Sequence, residues 1–340
     1  MPTLTRLLLV LASLLLGPLV VMADELLKDT NEIKSLTVEE AKRLAEFKGD
    51  WLVLNGLTKL DADTAKALAA FKGQVLQLDG LTALNADTAK ALAEFKGQVL
   101  HLDSLTTLDT DTAKALAEFK GSGLSLDGLT KLDADTAKAL AAFKGQVLQL
   151  DGLTALNADT AKALAEFKGQ VLHLDSLTTL DTDTAKALAE FKGSGLSLDG
   201  LTTLDADTAK ALAKFEGRVS LQYTVQKSFF EKNPLTAETA LSWVAVSNGQ
   251  LSVITALDSP DSVAIAQALA TRKGPLSLPN LKKISPKTLS ALIEKEDIDI
   301  PLIETLELIP EPDGSPTDDF VIPKRLQEKQ KQQQAGQQVK

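Results

Sequence analysis

The sequence predicts an α/β solenoid, a stack of thin layers that each hold one strand and one short helix. Three observations predict it. Residues Leu57–Gly128 recur unchanged as Leu129–Gly200, and each 72-residue block is three near-copies of a 24-residue unit. Phenylalanine returns at that period from Phe47 to Phe215, with a glycine two residues behind each ring, from Gly49 to Gly217. Within every unit, apolar-polar alternation gives way to helical spacing. A fixed period of about 20–50 residues means that each unit buries its apolar face only against its neighbours.

One unit shows how each element arises. Val75-Leu76-Gln77-Leu78-Asp79 alternates as a strand does, with Leu76 and Leu78 inward and Gln77 and Asp79 outward. Gly80 permits a turn, and Leu81 and Leu84 carry the chain around the core. Asn85 then caps a helix whose first turn, Ala86-Asp87-Thr88, places a negative charge where the helix dipole favours it. Ala89, Leu92 and Ala93 form the inward stripe, and Gly97 is expected to close the helix as its left-handed C′ residue. The cap position checks the whole scheme. Every 24 residues it holds Thr37, Asp61, Asn85, Asp109, Asp133, Asn157, Asp181 and Asp205, all good N-caps. Thr236, Ser259 and Ser285 continue the logic in the divergent part, with Pro260 and Pro286 expected at N1.

The pattern Leu76-x-Leu78-x-x-Leu81-x-x-Leu84 followed by a helical return resembles the leucine-rich repeat. That resemblance implies a right-handed solenoid, with parallel strands on the concave face and short helices on the convex face. Leucines such as Leu57, Leu81 and Leu105 stand near the place where the family has a buried asparagine, so the chain resembles a variant class without the usual asparagine ladder. The spacing of strands, about 4.8 Å, against about 8–10 Å for helices independently predicts curvature toward the strands.

The ends differ from the middle. Residues 1–23 have the basic n-region, apolar stretch and small-residue site (Val21-Met22-Ala23) of a cleaved secretory signal. Residues 24–50 read as an N-terminal cap with a partial repeat, 51–217 as regular repeats, and 218–309 as divergent repeats. The divergent part holds an insertion at Thr224–Pro234, and strands are expected at Leu251-Ser-Val253, Leu276-Ser-Leu278 and Ile298-Asp-Ile300. Residues 310–340 read as a polar disordered tail. Aromatics make up only 4% of the 340 residues, so the core is leucine and alanine. A net charge of −10 disfavours nucleic acid as a partner. An exported chain with no cysteine points to a bacterial envelope, periplasmic or secreted setting, and rules out thiolate metal sites.

The outward strand positions carry the candidate chemistry. One column runs Gln77, His101, Ser125, Gln149, His173, Ser197; the next runs Asp79, Asp103, Asp127, Asp151, Asp175, Asp199. Three uses are open to the aspartates: ordering the turn before Gly or Ser, binding a basic protein or peptide, and holding Ca²⁺ through oxygen ligands. Ser125, His101 and Asp103 or Asp127 superficially suggest a catalytic triad, but an open sheet supplies neither oxyanion donors nor a dry pocket. His101 and His173 lie three repeats apart, too far to share an ion. The aromatics of the insertion, Tyr223, Phe229 and Phe230, together with Trp243, are either its packing or a partner hot spot.

The expectation is a secreted or envelope non-enzymatic binding or scaffold protein that engages an unidentified protein or peptide through an acidic concave surface. It has no cofactor and no membrane span after signal cleavage. The alternative is a structural spacer of the envelope with no defined ligand, since a module copied whole extends a rod without adding specificity.

Overall fold

A computed structural model describes residues 32–312 apart from Asn248, together with Gly314 and Gln327. The expected signal Met1–Ala23, the first part of the expected cap and nearly all of the expected tail lie outside the described residues. The chain divides into two compact units, one running to Leu177 with Phe191–Ser194, the other comprising Thr178–Glu190 and the residues from Gly195 onward. No helix among the described residues is long and apolar enough to cross a membrane.

In the first unit, six three-residue strands pair in parallel: β1 (Trp51–Val53), β2 (Val75–Gln77), β3 (Val99–His101), β4 (Gly123–Ser125), β5 (Val147–Gln149) and β6 (Val171–His173). The register is a strict 24-residue step, Leu52 to Leu76 to Leu100 to Leu124, so leucine meets leucine at every layer. Helix Val38–Ala45 precedes β1, and helices Ala62–Leu68, Ala86–Leu92, Thr110–Ala117, Ala134–Ala141 and Ala158–Leu164 return the chain between successive strands. At seven or eight residues they are too short to hold in isolation. Caps and packing supply what length does not.

Each cap does what its residue type predicts. The Asp109 Oδ1 accepts from the Thr112 N–H at 2.7 Å and the Asn85 Oδ1 from the Thr88 N–H at 2.9 Å. The Asp61, Asp109 and Asp133 carboxyls sit below the usual carboxylate range because of these backbone donors, with the threonine hydroxyl adding to the effect at Asp61 and Asp133. Cap identity also redirects that hydroxyl. Under Asp61, Asp133, Asp181 and Asp205 it donates to the cap carboxylate, as Thr136 does to Asp133 at 2.9 Å, whereas the buried Thr112 hydroxyl under Asp109 makes no such bond. Under asparagine it crosses to the previous layer, as Thr88 does to the Leu60 carbonyl at 3.4 Å.

The inner columns Leu52/Leu76/Leu100, Leu54/Leu78/Leu102 and Leu57/Leu81/Leu105 are buried, as are Ala65, Ala89 and Ala113 on the helices. Along the far edge of the core the rings of Phe47, Phe71, Phe95, Phe119, Phe143, Phe167 and Phe191 stack at 6.0–6.3 Å with nearly parallel planes.

That stack corrects the reading of Gly97. Positive φ among the described glycines occurs at Gly249, Gly274 and Gly314, and the repeat glycines are not among them. The helix ends instead with Ala93, Glu94 and Phe95 donating to the carbonyls of its last turn. Gly97 is small because a Cβ there would strike the Phe95 ring and the Gly73 carbonyl of the previous layer. Phe-x-Gly is therefore one packing unit, in which the ring lies over the glycine that follows it.

The second unit begins with the same grammar. Helices Thr182–Leu188 and Ala206–Leu212 accompany β7 (Gly195–Ser197) and β8 (Arg218–Ser220), which pair in parallel. The expected insertion is then an extra helix, Tyr223–Lys232, packed before helix Ala237–Val246. Beyond it the repeats carry two narrow ladders: β10 (Leu276–Ser277) with β12 (Ile298–Asp299), and β9 (Ala256–Leu257), β11 (Lys283–Ile284) and β13 (Glu307–Leu308) together. Leu251-Ser-Val253 is not a strand. The bridge falls at Gln250, opposite Ser277, and the next two-residue strand starts only at Ala256. Thr236 and Ser285 cap as expected, and Pro286 is at N1. Ser259 does not cap: its helix, Ser262–Ala270, starts later, so Pro260 precedes it.

Candidate interaction surface

Because each strand is only three residues long, its outward positions and the turn that follows make three parallel columns across the first unit. The first was not singled out from the sequence: Trp51, Val75, Val99, Gly123, Val147 and Val171 occupy one register. Trp51 is 59% exposed. Val99, Val147 and Val171 are half-buried. A search for polar outward residues passes over this apolar row, although strand alternation places it on the same side as Gln77.

The second column is Gln77, His101, Ser125, Gln149 and His173, half-buried except for the fully buried Ser125. The third, just beyond the strands, is Asn55, Asp79, Asp103, Asp127, Asp151 and Asp175, all half-buried. These side chains form a ladder. The Asn55 Oδ1 accepts the Asp79 N–H at 3.1 Å, the Asp79 Oδ1 the Asp103 N–H at 3.1 Å, and the Asp103 Oδ1 the Asp127 N–H at 3.2 Å. Asp127 and Asp151 continue it at 2.9 and 2.8 Å. A ladder of acidic and amide side chains is thus present, two residues ahead of the leucine column where the resemblance had placed a missing one. It satisfies turn N–H groups that the strands, ending one or two residues earlier, no longer reach.

Loss of that acceptor is expected to be measurable. Asp127→Ala strands the Asp151 N–H and is expected to cost about 1–2 kcal/mol. Asp127→Asn keeps an Oδ1, as Asn55 does naturally, and is expected to be near neutral. Urea unfolding of the two variants checks this.

Electrostatics within the column are uneven. Burial pushes the Asp127 and Asp151 carboxyls above the usual range, and their carboxylate neighbours add to it. Burial pushes the same way at Asp103, but bonds from His101, Ser125 and the Asp127 N–H outweigh it and hold that carboxyl low. His101 is raised, first by its hydrogen bond to Asp103 and then by the charges of Asp103, Asp79 and Asp127, against the opposing effect of burial.

The serine and histidine do not form a nucleophilic arrangement. The Ser125 hydroxyl donates to Asp103 Oδ1 at 2.5 Å and to Asp127 Oδ2 at 3.2 Å, while the His101 Nδ1 meets Asp103 Oδ2 at 3.4 Å. A carboxylate thus stands between hydroxyl and imidazole, where a triad needs the imidazole in the middle.

In the second unit Ser197 is buried at the matching strand position, and Asp199 accepts from the Ser220 hydroxyl at 2.9 Å. Phe229 and Trp243 are buried with ring centroids 5.1 Å apart, and Phe230 meets Phe229 edge-on at 5.0 Å. These rings lie between the inserted helix Tyr223–Lys232 and helix Ala237–Val246. Tyr223, 56% exposed, is the aromatic of the group that a partner can reach broadly.

No family model matches the chain, and no curated protein does. Among solved structures it is similar to a chain of the Toll–Spatzle complex of Drosophila, at 15% identity and a TM-score of 0.48, over 76% of this chain and 36% of that one. It therefore spans about a third of that chain's length. A chain of the yeast Rad7–Elc1 complex matches at 15% identity and a TM-score of 0.32, over 85% of this chain and 86% of that one. The α/β solenoid itself stands on the parallel register, the 24-residue step and the returning helices described above.

Proposed function

We propose that the chain is a non-enzymatic binding scaffold that takes a basic protein segment with interspersed apolar residues on the strand face of its first unit. The observation that carries this reading is the juxtaposition of the columns: an apolar row ending in exposed Trp51 runs beside a polar row and a row of five aspartates. Such a strip matches a segment whose apolar side chains meet Val99, Val147 and Val171 while its lysines or arginines meet the carboxylates. Charge contributes steering and register more than raw affinity. The leader-like N-terminus and the absence of cysteine favour an exported or envelope setting.

The test uses Asp→Asn, because asparagine keeps the ladder and removes only charge. Affinity capture from envelope extract is compared between the natural chain and Asp103→Asn/Asp127→Asn/Asp151→Asn, at low and high salt. The expected result is a partner lost by the triple variant and by salt, with Trp51→Ala weakening capture in either buffer. Capture indifferent to all three changes would overturn the reading.

The spacer alternative has one observation of its own, the exact 72-residue duplication. Deleting Leu129–Gly200 joins Gly128 to Leu201, a junction identical in local sequence to the natural Gly200-Leu201. A spacer shortens and keeps working, whereas a face-binding scaffold loses affinity with three of its strands.

A further inference from the structure

The geometry points to a divalent transition-metal site of the zinc class at Asp151, His173 and Asp175, on the first unit and independent of any peptide partner. One ligand atom from each of the three residues lies within 4.8 Å of the others, and all three side chains are half-buried. They come from adjacent layers: Asp151 follows β5, His173 ends β6, and Asp175 follows it by two residues. The site is empty.

The donor set decides the metal. Carboxylates alone would suit Ca²⁺, but an imidazole nitrogen shifts preference toward Zn²⁺ and its first-row neighbours. Zinc bonds of about 2.0–2.2 Å place tetrahedral ligands about 3.4 Å apart, so closure needs shifts on the order of 1 Å, within side-chain adjustment. Three protein ligands leave one position for water. The His173 Nδ1 stands 3.8 Å from Asp175 Oδ2, beyond hydrogen-bond length. The Asp151 Oδ1 accepts the Asp175 N–H at 2.8 Å, which orients that carboxylate.

The duplication supplies an internal control. Asp79, His101 and Asp103 are the same residues 72 positions earlier, yet they do not gather in the same way. There the Asp79 carboxylate is engaged by the Gln77 amide, and His101 closes on Asp103 at 3.4 Å. The layers beneath the two copies also differ, neutral Asn55 under Asp79 but Asp127 under Asp151. The Asp151 copy therefore sits in more concentrated negative potential, which Asp175 and Asp127 impose on it, and whose effect on its carboxyl adds to that of burial. A dication relieves that crowding.

The test is calorimetric titration of the untagged full chain with ZnCl₂. His173→Gln is the key variant, because glutamine is the natural residue at the equivalent Gln149 and Gln77 and the fold tolerates it. One saturable Zn²⁺ site is expected, weakened at least tenfold by His173→Gln and by Asp151→Asn, unchanged by His101→Gln, and not displaced by equimolar Ca²⁺. Zinc should also shift the His173 imidazole resonances and not those of His101. Absence of saturable binding, binding that survives His173→Gln, or a site that Ca²⁺ fills equally well would each overturn the assignment.

Discussion

Replacing Phe119 with alanine is expected to destabilise the first unit by about 3–5 kcal/mol, the cost of emptying a fully buried phenylalanine position. The ring is 1% exposed and lies between Phe95 at 6.0 Å and Phe143 at 6.1 Å, with interplanar angles of 4° and 2°. Two aromatic neighbours are lost at once, each worth about 0.5–1.5 kcal/mol beyond area. The stack cannot slide to refill the gap, because each ring is pinned by its own layer's backbone. In a solenoid, coupling runs between neighbouring layers, so a break in mid-unit separates the layers on either side. Chemical denaturation followed by far-ultraviolet circular dichroism should show an earlier transition, broadened if the two halves uncouple. A single transition at the natural midpoint would mean that the stack is ornamental to stability.

How far such consequences can be foreseen from sequence depends on where the deciding contact lies. The caps were legible because Asp61 or Asn85 needs only the N–H three residues on, a contact written inside one helix. Leu76 and Leu78 were legible because strand alternation alone turns them inward. The ladder was not, because the group that each aspartate satisfies belongs to the next layer, 24 residues away, and a composition of Asp before Gly or Ser fits a local turn equally well. Gly97 was misread for the related reason that its constraint is a ring and a carbonyl from outside the helix it follows. Ser259 and the strand expected at Leu251 slipped because the period is lost after the inserted helix Tyr223–Lys232. Without it, a two-residue strand and a helix start have no phase to be read against. The interaction face was half legible: its polar columns stood out by residue type, while Val75, Val99 and Val147 carry no polar group to single them out.

Gly121→Ala is expected to cost about 3 kcal/mol, at the upper end for overpacking, while Gly123→Ala, two residues on, is expected to be neutral or to stabilise by up to about 1 kcal/mol. A Cβ on Gly121 would meet the Phe119 ring and stand 2.5 Å from the Gln98 carbonyl oxygen, a rigid backbone atom of the previous layer. At Gly123 it would make ordinary contact, 3.5 Å, with the Val99 methyls, in a register position that valine fills at Val75, Val99, Val147 and Val171. Neither glycine has positive φ, so intrinsic backbone preference cannot separate the two substitutions and only the neighbouring atoms can. The ring's share of the Gly121 effect is open to a double-mutant cycle. In the Phe119→Ala background the added methyl projects into the space that the ring left, so the combined cost should fall short of the sum by 1 kcal/mol or more, about the coupling seen between residues in contact. Strict additivity in urea unfolding would show that ring and glycine act separately, and that the constraint on Gly121 comes from the Gln98 carbonyl alone.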